Sequence, residues 1–141
     1  MVNGEVLLPK GSPLAGPIKS AFYQLIDGDY FFSLSLNYRN GNERKGLTIE
    51  LKRIELSENS VIILDKNRVV DRDDDGGFGY YYFTPDWMDT SLGNEYYNTS
   101  DVNGEIIITN LNESQQIISG TFWFDAVNND GEIIEIREGR F

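Results

Sequence analysis

The chain has 141 residues, and its 12 basic and 23 acidic side chains give a formal net charge of −11. Cysteine and histidine are both absent, which excludes thiolate catalysis, disulfides, zinc held by Cys or His, and Ser-His-Asp triads. An apolar share of 40% and an aromatic share of 13% argue against disorder, so a single folded domain over residues 1–141 is expected.

The negative charge is unevenly distributed, because most of the acidic residues follow residue 70. Such a segment repels phosphate backbones and anionic lipid headgroups, so no nucleic-acid partner is expected. The sequence has no apolar run of the length that a transmembrane helix needs. The residues after Met1 also lack the basic and apolar segments of a secretory signal.

The first half of the chain has the pattern of β-strands. Residues 5–8 and 21–26 are the weaker strand candidates, and they flank a loop rich in Pro and Gly over residues 10–17. Apolar and polar side chains alternate over residues 30–38 and again over residues 47–52. Because successive side chains of a strand point to opposite faces, these two segments are predicted as half-buried strands joined by a Gly-containing turn.

The second half continues the same pattern. An Asn-Asn-Asp-Gly turn over residues 128–131 predicts the clearest hairpin of the chain. The longest irregular stretch covers residues 85–104, and a short strand is predicted inside it near residues 95–99. The remaining predicted strands are residues 61–64, 79–84, 105–109, 117–126 and 132–141.

Many short strands separated by turn residues predict an all-β fold. We expect an antiparallel β-sandwich of about eight to ten strands. A lipocalin-like β-barrel is the alternative, since a period of two residues fits both architectures.

The C-terminal third carries three motifs in a fixed order. They are GEIIIT at residues 104–109, SGTFWFDA at residues 119–126 and IREGRF at residues 136–141. This succession resembles a family of small Bacteroidetes lipoproteins of unknown function, whose ends read G-x-I-x-I-T, S-G-T-F-x-F-x-A and I-x-x-G-R-F. The resemblance implies no catalytic residue.

The same resemblance implies a location. Members of that family are secreted and carry a lipid anchor on an N-terminal cysteine, whereas this chain has no cysteine. We therefore expect a secreted or cell-envelope protein that contacts a membrane only through an anchor outside this sequence.

A run of acidic residues suggests a metal site. Asp71, Asp73 and Asp75 precede Gly76 in a D-x-D-x-D-G pattern, which is the first half of a calcium-binding loop. Tyr82 stands where a complete loop of this kind has a bidentate glutamate. The alternatives are a calcium site with those three aspartates as ligands and a solvated acidic turn.

Aromatic residues are concentrated between residues 80 and 97. Flat aromatic faces beside carboxylates and amides are typical of binding surfaces. The predicted ligand-binding residues are Tyr80, Tyr82, Trp87, Tyr96 and Tyr97, and a sugar ring would stack on Trp87 or Tyr97. The alternative is that these side chains fill the core or plug a loop.

Together these features predict a non-catalytic binding or interaction module, secreted or anchored to the cell envelope, with a glycan or peptide ligand and no cofactor other than calcium. One alternative is a carboxylate-dependent glycan hydrolase, because that chemistry needs two acids and neither His nor Cys. A purely structural envelope lipoprotein is the other.

Overall fold

The structure, a computed structural model, describes residues 1–12, 14 and 16–141. Pro13, inside the predicted loop over residues 10–17, and Ala15 lie outside the described residues. No helix in the described part of the chain is long and apolar enough to cross a membrane. The nine strands are β1 (Lys19–Ile26), β2 (Asp29–Asn40), β3 (Glu43–Lys52), β4 (Val61–Lys66), β5 (Gly76–Thr84), β6 (Asn94–Tyr97), β7 (Gly104–Asn112), β8 (Ile117–Val127) and β9 (Ile133–Arg140).

The all-β, sandwich-like prediction is confirmed. Hydrogen bonds connect the strands in the order β1-β2-β3-β5-β4-β7-β8-β6, with β9 added beside β8 and a further pairing between β5 and β6. One edge of β5 pairs with β3, and its other edge is shared by β4 and β6. The pairings of β5, β4, β7, β8 and β6 close a ring of hydrogen bonds. Strands β1, β2 and β3 extend beyond this ring, and within the described chain β1 pairs with β2 alone, so the sheet keeps an open edge and is not the barrel of the alternative prediction.

One strand pair departs from the expected antiparallel pattern, because β4 and β5 run parallel. Parallel neighbours usually need a long crossover. Here the end of β4 lies beside the beginning of β5, with Leu64 opposite Gly77 and Lys66 opposite Phe78. This stagger lets the short connection over residues 67–75 join the two strands.

The core lies between the inner faces of the strands and follows the period of two. On β3, for example, Leu47, Ile49 and Leu51 are buried, whereas Thr48 and Glu50 between them are partly exposed. Burial of alternate apolar side chains is the main stabilising contribution of such a fold. The other buried hydrophobic residues of this core are Phe32, Leu34, Leu56, Leu64, Tyr81, Tyr96, Ile106, Ile108, Phe122, Phe124, Ala126, Ile134 and Ile136.

The hairpin predicted near the C-terminus is present, whereas the strand predicted near the N-terminus is not. The hairpin between β8 and β9 is confirmed, and the Asn128 side chain accepts hydrogen bonds from the backbone N–H groups of Asp130 and Glu132 at 3.0 and 2.9 Å. The predicted strand over residues 5–8 is wrong, since only Glu5 forms an isolated bridge, with Val2. Pro9, directly after this segment, has no N–H to give to a ladder.

A buried amide fixes the point where β6 ends. The backbone N–H of Asn98 donates to the carbonyl of Gly79 at 3.1 Å, and its Nδ2 donates to the carbonyl of Asp125 at 2.6 Å. Asn98 therefore ties β5 to β8. A Cβ on Gly79 would stand 2.1 Å from Oδ1 of Asn98, so this close approach requires glycine.

Candidate functional site

Three tyrosines form an aromatic surface on the outer face of the sheet. Tyr80 and Tyr82 are two residues apart on β5, and Tyr97 of β6 lies directly opposite Tyr80. The ring centroids of Tyr80 and Tyr82 are 6.1 Å apart, and those of Tyr80 and Tyr97 are 5.2 Å apart. These distances are in the range of stabilising aromatic pairs, so the three rings support one another as a unit.

Glu95, an exposed residue of β6, fixes the hydroxyls of two of these rings. Its Oε1 accepts a hydrogen bond from the Tyr80 hydroxyl at 2.8 Å, and its Oε2 accepts one from the Tyr97 hydroxyl at 2.6 Å. Burial, followed by the hydrogen bond to Glu95, raises the pKa of Tyr97 to about 12 and also raises the pKa of Tyr80. Both hydroxyls thus stay protonated and keep donating at neutral pH.

The third ring, Tyr82, is positioned by the neighbouring strands. Its hydroxyl reaches across β3 to the side chain of Asn37 on β2, at 3.3 Å. Gly46 lies beneath the ring, and a Cβ at this position would stand 2.7 Å from Cε1 of Tyr82 and 2.9 Å from the carbonyl oxygen of Leu36. The absence of a side chain at Gly46 lets Tyr82 lie flat against the sheet.

Trp87 stands beside these tyrosines on the loop that follows β5. Its backbone N–H donates to the carbonyl of Asn42 at 3.0 Å, which ties the loop to the β2–β3 turn. The residue is 52% exposed, and the guanidinium of Arg44 lies 5.5 Å from the ring centroid. A cation over one face of an indole stabilises its orientation and leaves the ring available to a ligand.

These features line an open cleft of about 860 Å³, a size typical of small-molecule sites. Tyr82, Tyr97 and Trp87 contribute the aromatic surface. The polar groups come from strands β3, β5 and β6 and from the connections near them, and they include two carboxylates and one guanidinium. The polar lining residues are Arg44, Asn67, Thr84, Thr90, Asn94, Glu95, Asn128, Asn129 and Asp130.

The structure brings together three of the five predicted ligand-binding residues in this cleft and places the other two outside it. Tyr80 adjoins the cleft through its contacts with Tyr82 and Tyr97. Tyr96 instead faces the core, where it is 8% exposed and its ring centroid lies 6.0 Å from that of Tyr81. Alternation along β6 is the reason, because neighbouring residues of a strand face opposite sides.

The acidic run does not form a common site. Asp75 pairs with Arg53, whose Nη2 also donates to the carbonyl of Asp73 at 2.6 Å. Asp71 instead accepts a hydrogen bond from the backbone N–H of Asn67 at 2.8 Å. Among the described residues, no group of three acidic side chains is arranged to hold a metal ion. The carboxylates of Asp71 and Asp75 thus bond different partners, and calcium binding stays an untested prediction.

Sequence reasoning missed the residues that surround the aromatic surface. Arg68 lies with its guanidinium 5.3 Å from the Tyr80 ring centroid and bonds Glu50 at 3.1 Å. Arg44 and Asn128 are each about 40 residues from Trp87 in the sequence, so nothing local links them to it. An arginine before an aromatic cluster is a weak signal, because most such arginines are merely solvated.

Comparison with known proteins gives one partial match. A family model described as a domain of unknown function (DUF6252) matches residues 79–141, a segment that begins within β5. No curated protein and no solved structure matches the chain. The chain is therefore similar to this family from Gly79 onward, and the match assigns it no activity.

Proposed function

We propose that the protein is a non-catalytic binding module whose cleft takes a neutral glycan. The observation that carries this proposal is the exposed aromatic surface of Tyr82, Tyr97 and Trp87 beside amide groups in one cleft. A sugar ring presents an apolar C–H face to an aromatic ring and hydroxyls to amides and carboxylates, and this combination fits the lining.

The rigidity of the surface supports the same proposal. Glu95 and Asn37 hold the hydroxyls of the three tyrosines, and Arg44 lies against Trp87. Side chains that are already ordered lose little conformational entropy when a ligand binds, which favours affinity. Neutrality of the ligand follows from the mixed charge of the lining, where Arg44 is accompanied by Glu95 and Asp130.

The two tryptophans of the chain provide a matched pair for the test. Trp87 lines the cleft, whereas Trp123 lies on β8 outside it. Each is exposed, at 52% and 37%, and each lies beside an arginine, with centroid distances of 5.5 and 5.4 Å. Replacing either residue by alanine therefore removes a similar surface and a similar cation contact.

The experiment measures binding of neutral oligosaccharides by calorimetry, using a panel of glucans, xylans, mannans and chitin fragments. We expect at least one of them to bind, Trp87→Ala to weaken it by at least about tenfold, which is about 1.4 kcal/mol, and Trp123→Ala to leave it unchanged. No binding across the panel, or equal losses in both variants, would overturn the proposal. Release of reducing ends would instead favour the glycan hydrolase, and binding restricted to peptides would favour the peptide module.

We further propose that the protein is secreted or anchored to the cell envelope. The support is the resemblance of the three C-terminal motifs to small Bacteroidetes lipoproteins. Fractionation of cells that produce the full-length protein tests this, with the membrane or medium fraction as the expected location. Recovery in the cytoplasmic fraction would contradict it, whereas an envelope location without any ligand would favour a purely structural lipoprotein.

A further inference from the structure

A second cavity is separate from the cleft around Trp87 and shares no lining residue with it. It has a volume of about 690 Å³ and is bounded by strands β1, β2, β3, β8 and β9. Its inner wall is almost entirely apolar. The residues that form this wall are Ala21, Leu34, Leu36, Leu47, Ile118, Phe122, Ile136 and Phe141.

The N-terminal segment covers this cavity as a strap. At one end, Val2 bridges to Ile136 of β9, and at the other end Lys10 bridges to Tyr38 of β2. Residues 6–9 run between these anchor points without belonging to a strand. They add their apolar side chains to the cavity wall, although Val6 and Leu8 remain 70% and 69% exposed.

The exposed apolar residues of the strap have no role in the core itself. Leu7 packs against the core cluster, while its two neighbours stay accessible to solvent at the cavity's edge. An apolar wall under a strap that is held by two backbone bridges and by Leu7, with Val6 and Leu8 exposed, is suited to an elongated apolar ligand.

The charged side chains at the cavity indicate which headgroup a ligand would carry. Lys19 of β1 and Arg140 of β9 both line the cavity, and neither forms an ion pair with a described residue. Glu138 is the acidic residue beside them. A protein with a net charge of −11 thus places two cations without an ion-pair partner, against one acidic side chain, at an apolar opening, which suits an anionic headgroup.

From this arrangement we infer that the cavity binds a single-chain anionic amphiphile, a long-chain fatty carboxylate. The hydrocarbon chain lies along the apolar wall under the strap, and the carboxylate meets Lys19 and Arg140. This inference is independent of the cleft around Trp87, since the two cavities share no lining residue.

The test uses calorimetry with saturated carboxylates of increasing length, each below its micelle concentration, and with an alkyltrimethylammonium of matched length. We expect affinity to rise about fourfold with each added methylene, which corresponds to about 0.8 kcal/mol, until the cavity is full. We also expect the carboxylate to bind at least about tenfold more tightly than the ammonium compound. No binding, or equal affinity for both headgroups, would overturn the inference.

Two sets of variants, each with its own control, locate the ligand. Lys19→Gln and Arg140→Gln should each weaken carboxylate binding by about tenfold, while Arg72→Gln, an exposed change on the acidic turn, should not. Ala21→Phe places a ring in the cavity and should abolish binding, while Gln24→Phe, on the same strand but outside the cavity wall, should preserve it. Binding that survives Ala21→Phe or responds equally to Arg72→Gln would show that the amphiphile binds elsewhere and contradict the inference.

Discussion

The ring of Tyr82 occupies the space that a side chain on Gly46 would need, since a Cβ there would stand 2.7 Å from Cε1 of Tyr82. The two residues lie opposite each other on β5 and β3. The backbone of Gly46 does not adopt a left-handed conformation. Glycine is therefore needed at this position for the space that it leaves to the Tyr82 ring. The position of the Tyr82 ring in the cleft thus depends on having glycine at position 46 of the neighbouring strand.

We expect Gly46→Ala to displace the Tyr82 ring and to destabilise the protein by about 1–3 kcal/mol, the usual cost of overpacking. Denaturant unfolding measures the stability, and near-UV circular dichroism reports the tyrosine environment. The carbonyl oxygen of Leu36 is also close, at 2.9 Å from the added Cβ. The Tyr82→Ala background separates these two contacts. An unchanged cost of Gly46→Ala in that background would assign the clash to Leu36 and contradict the role given to Tyr82.

Asn98 is fully buried, and its Oδ1 has no hydrogen-bond partner among the described residues. We expect Asn98→Asp to lower the free energy of unfolding at neutral pH by about 3–5 kcal/mol, because it buries an uncompensated charge. Burial favours the protonated carboxyl, so the folded state would hold this proton more tightly than the unfolded state. The loss should accordingly grow as the pH rises through the carboxyl's folded-state titration.

Asn98→Ala is the control, since it removes the amide without adding a charge. Its cost should be about 1–3 kcal/mol and should not depend on pH. Urea unfolding between acidic and neutral pH distinguishes the two variants. Parallel pH profiles for both would contradict the account of Asn98 as a buried neutral link between β5 and β8.

Stability should decline in alkaline solution because of the two tyrosines that hydrogen-bond Glu95. The folded state raises the pKa of Tyr97 to about 12 and that of Tyr80 above its ordinary value, while an unfolded tyrosine titrates near about 10. Above that pH the unfolded chain releases protons that the folded chain retains. The free energy of unfolding therefore decreases as the pH rises from about 10 to about 12, and the stabilisation is fully present below about 10.

The Tyr97→Phe variant should lose stability less steeply over this interval, because it has one fewer perturbed hydroxyl. Glu95→Gln provides a second check, since it keeps both hydroxyls and removes the negative acceptor that helps to raise their pKa values. It should reduce the alkaline loss partially, because burial is the larger cause. Thermal melts across the interval measure the effect, and a wild-type profile that stays flat would contradict it.

Calcium should leave the thermal midpoint unchanged. Arg53 and Lys66 already pair with Asp75 and Asp74 on the connection between β4 and β5, so a cation would have to displace them. A ligand present at 100 times its dissociation constant would raise the midpoint by roughly 5–10 °C. Melts in millimolar calcium and in chelator make the comparison. A shift of that size, lost in Asp73→Ala, would instead establish residues 71–76 as a calcium loop.

Strand positions could be predicted from the sequence because each strand carries its own period of two. The segments over residues 30–38 and 117–126 lie inside β2 and β8. The alternation also separates Tyr80 and Tyr82 from the buried Tyr81. Applied equally strictly to β6, it would have assigned Tyr96 and Tyr97 to opposite faces.

Strand pairing and loop contacts could not be predicted in the same way, since they join residues that are distant in the sequence. Nothing local indicates that Arg53 would pair with Asp75, or that Arg68 would lie over Tyr80. The position of the bulge in β9 could not be predicted either. The alternation of inward and outward side chains shifts at Glu138, which adopts a positive φ of 56°. A local reading places that shift at Gly139, one residue later, because glycine adopts such conformations more readily.

Strand β5 draws its three neighbours from segments on both sides of it in the chain, namely β3, β4 and β6. Its backbone amides can reach solvent only when hydrogen bonds from all parts of the molecule open together. We therefore expect β5 to show the slowest hydrogen exchange, at the rate of global unfolding, while the amides of β1 exchange through local opening of the sheet edge. The strand that carries Tyr80 and Tyr82 would then open only when the whole protein unfolds. The tyrosines beside the cleft are therefore attached to the most stable part of the sheet.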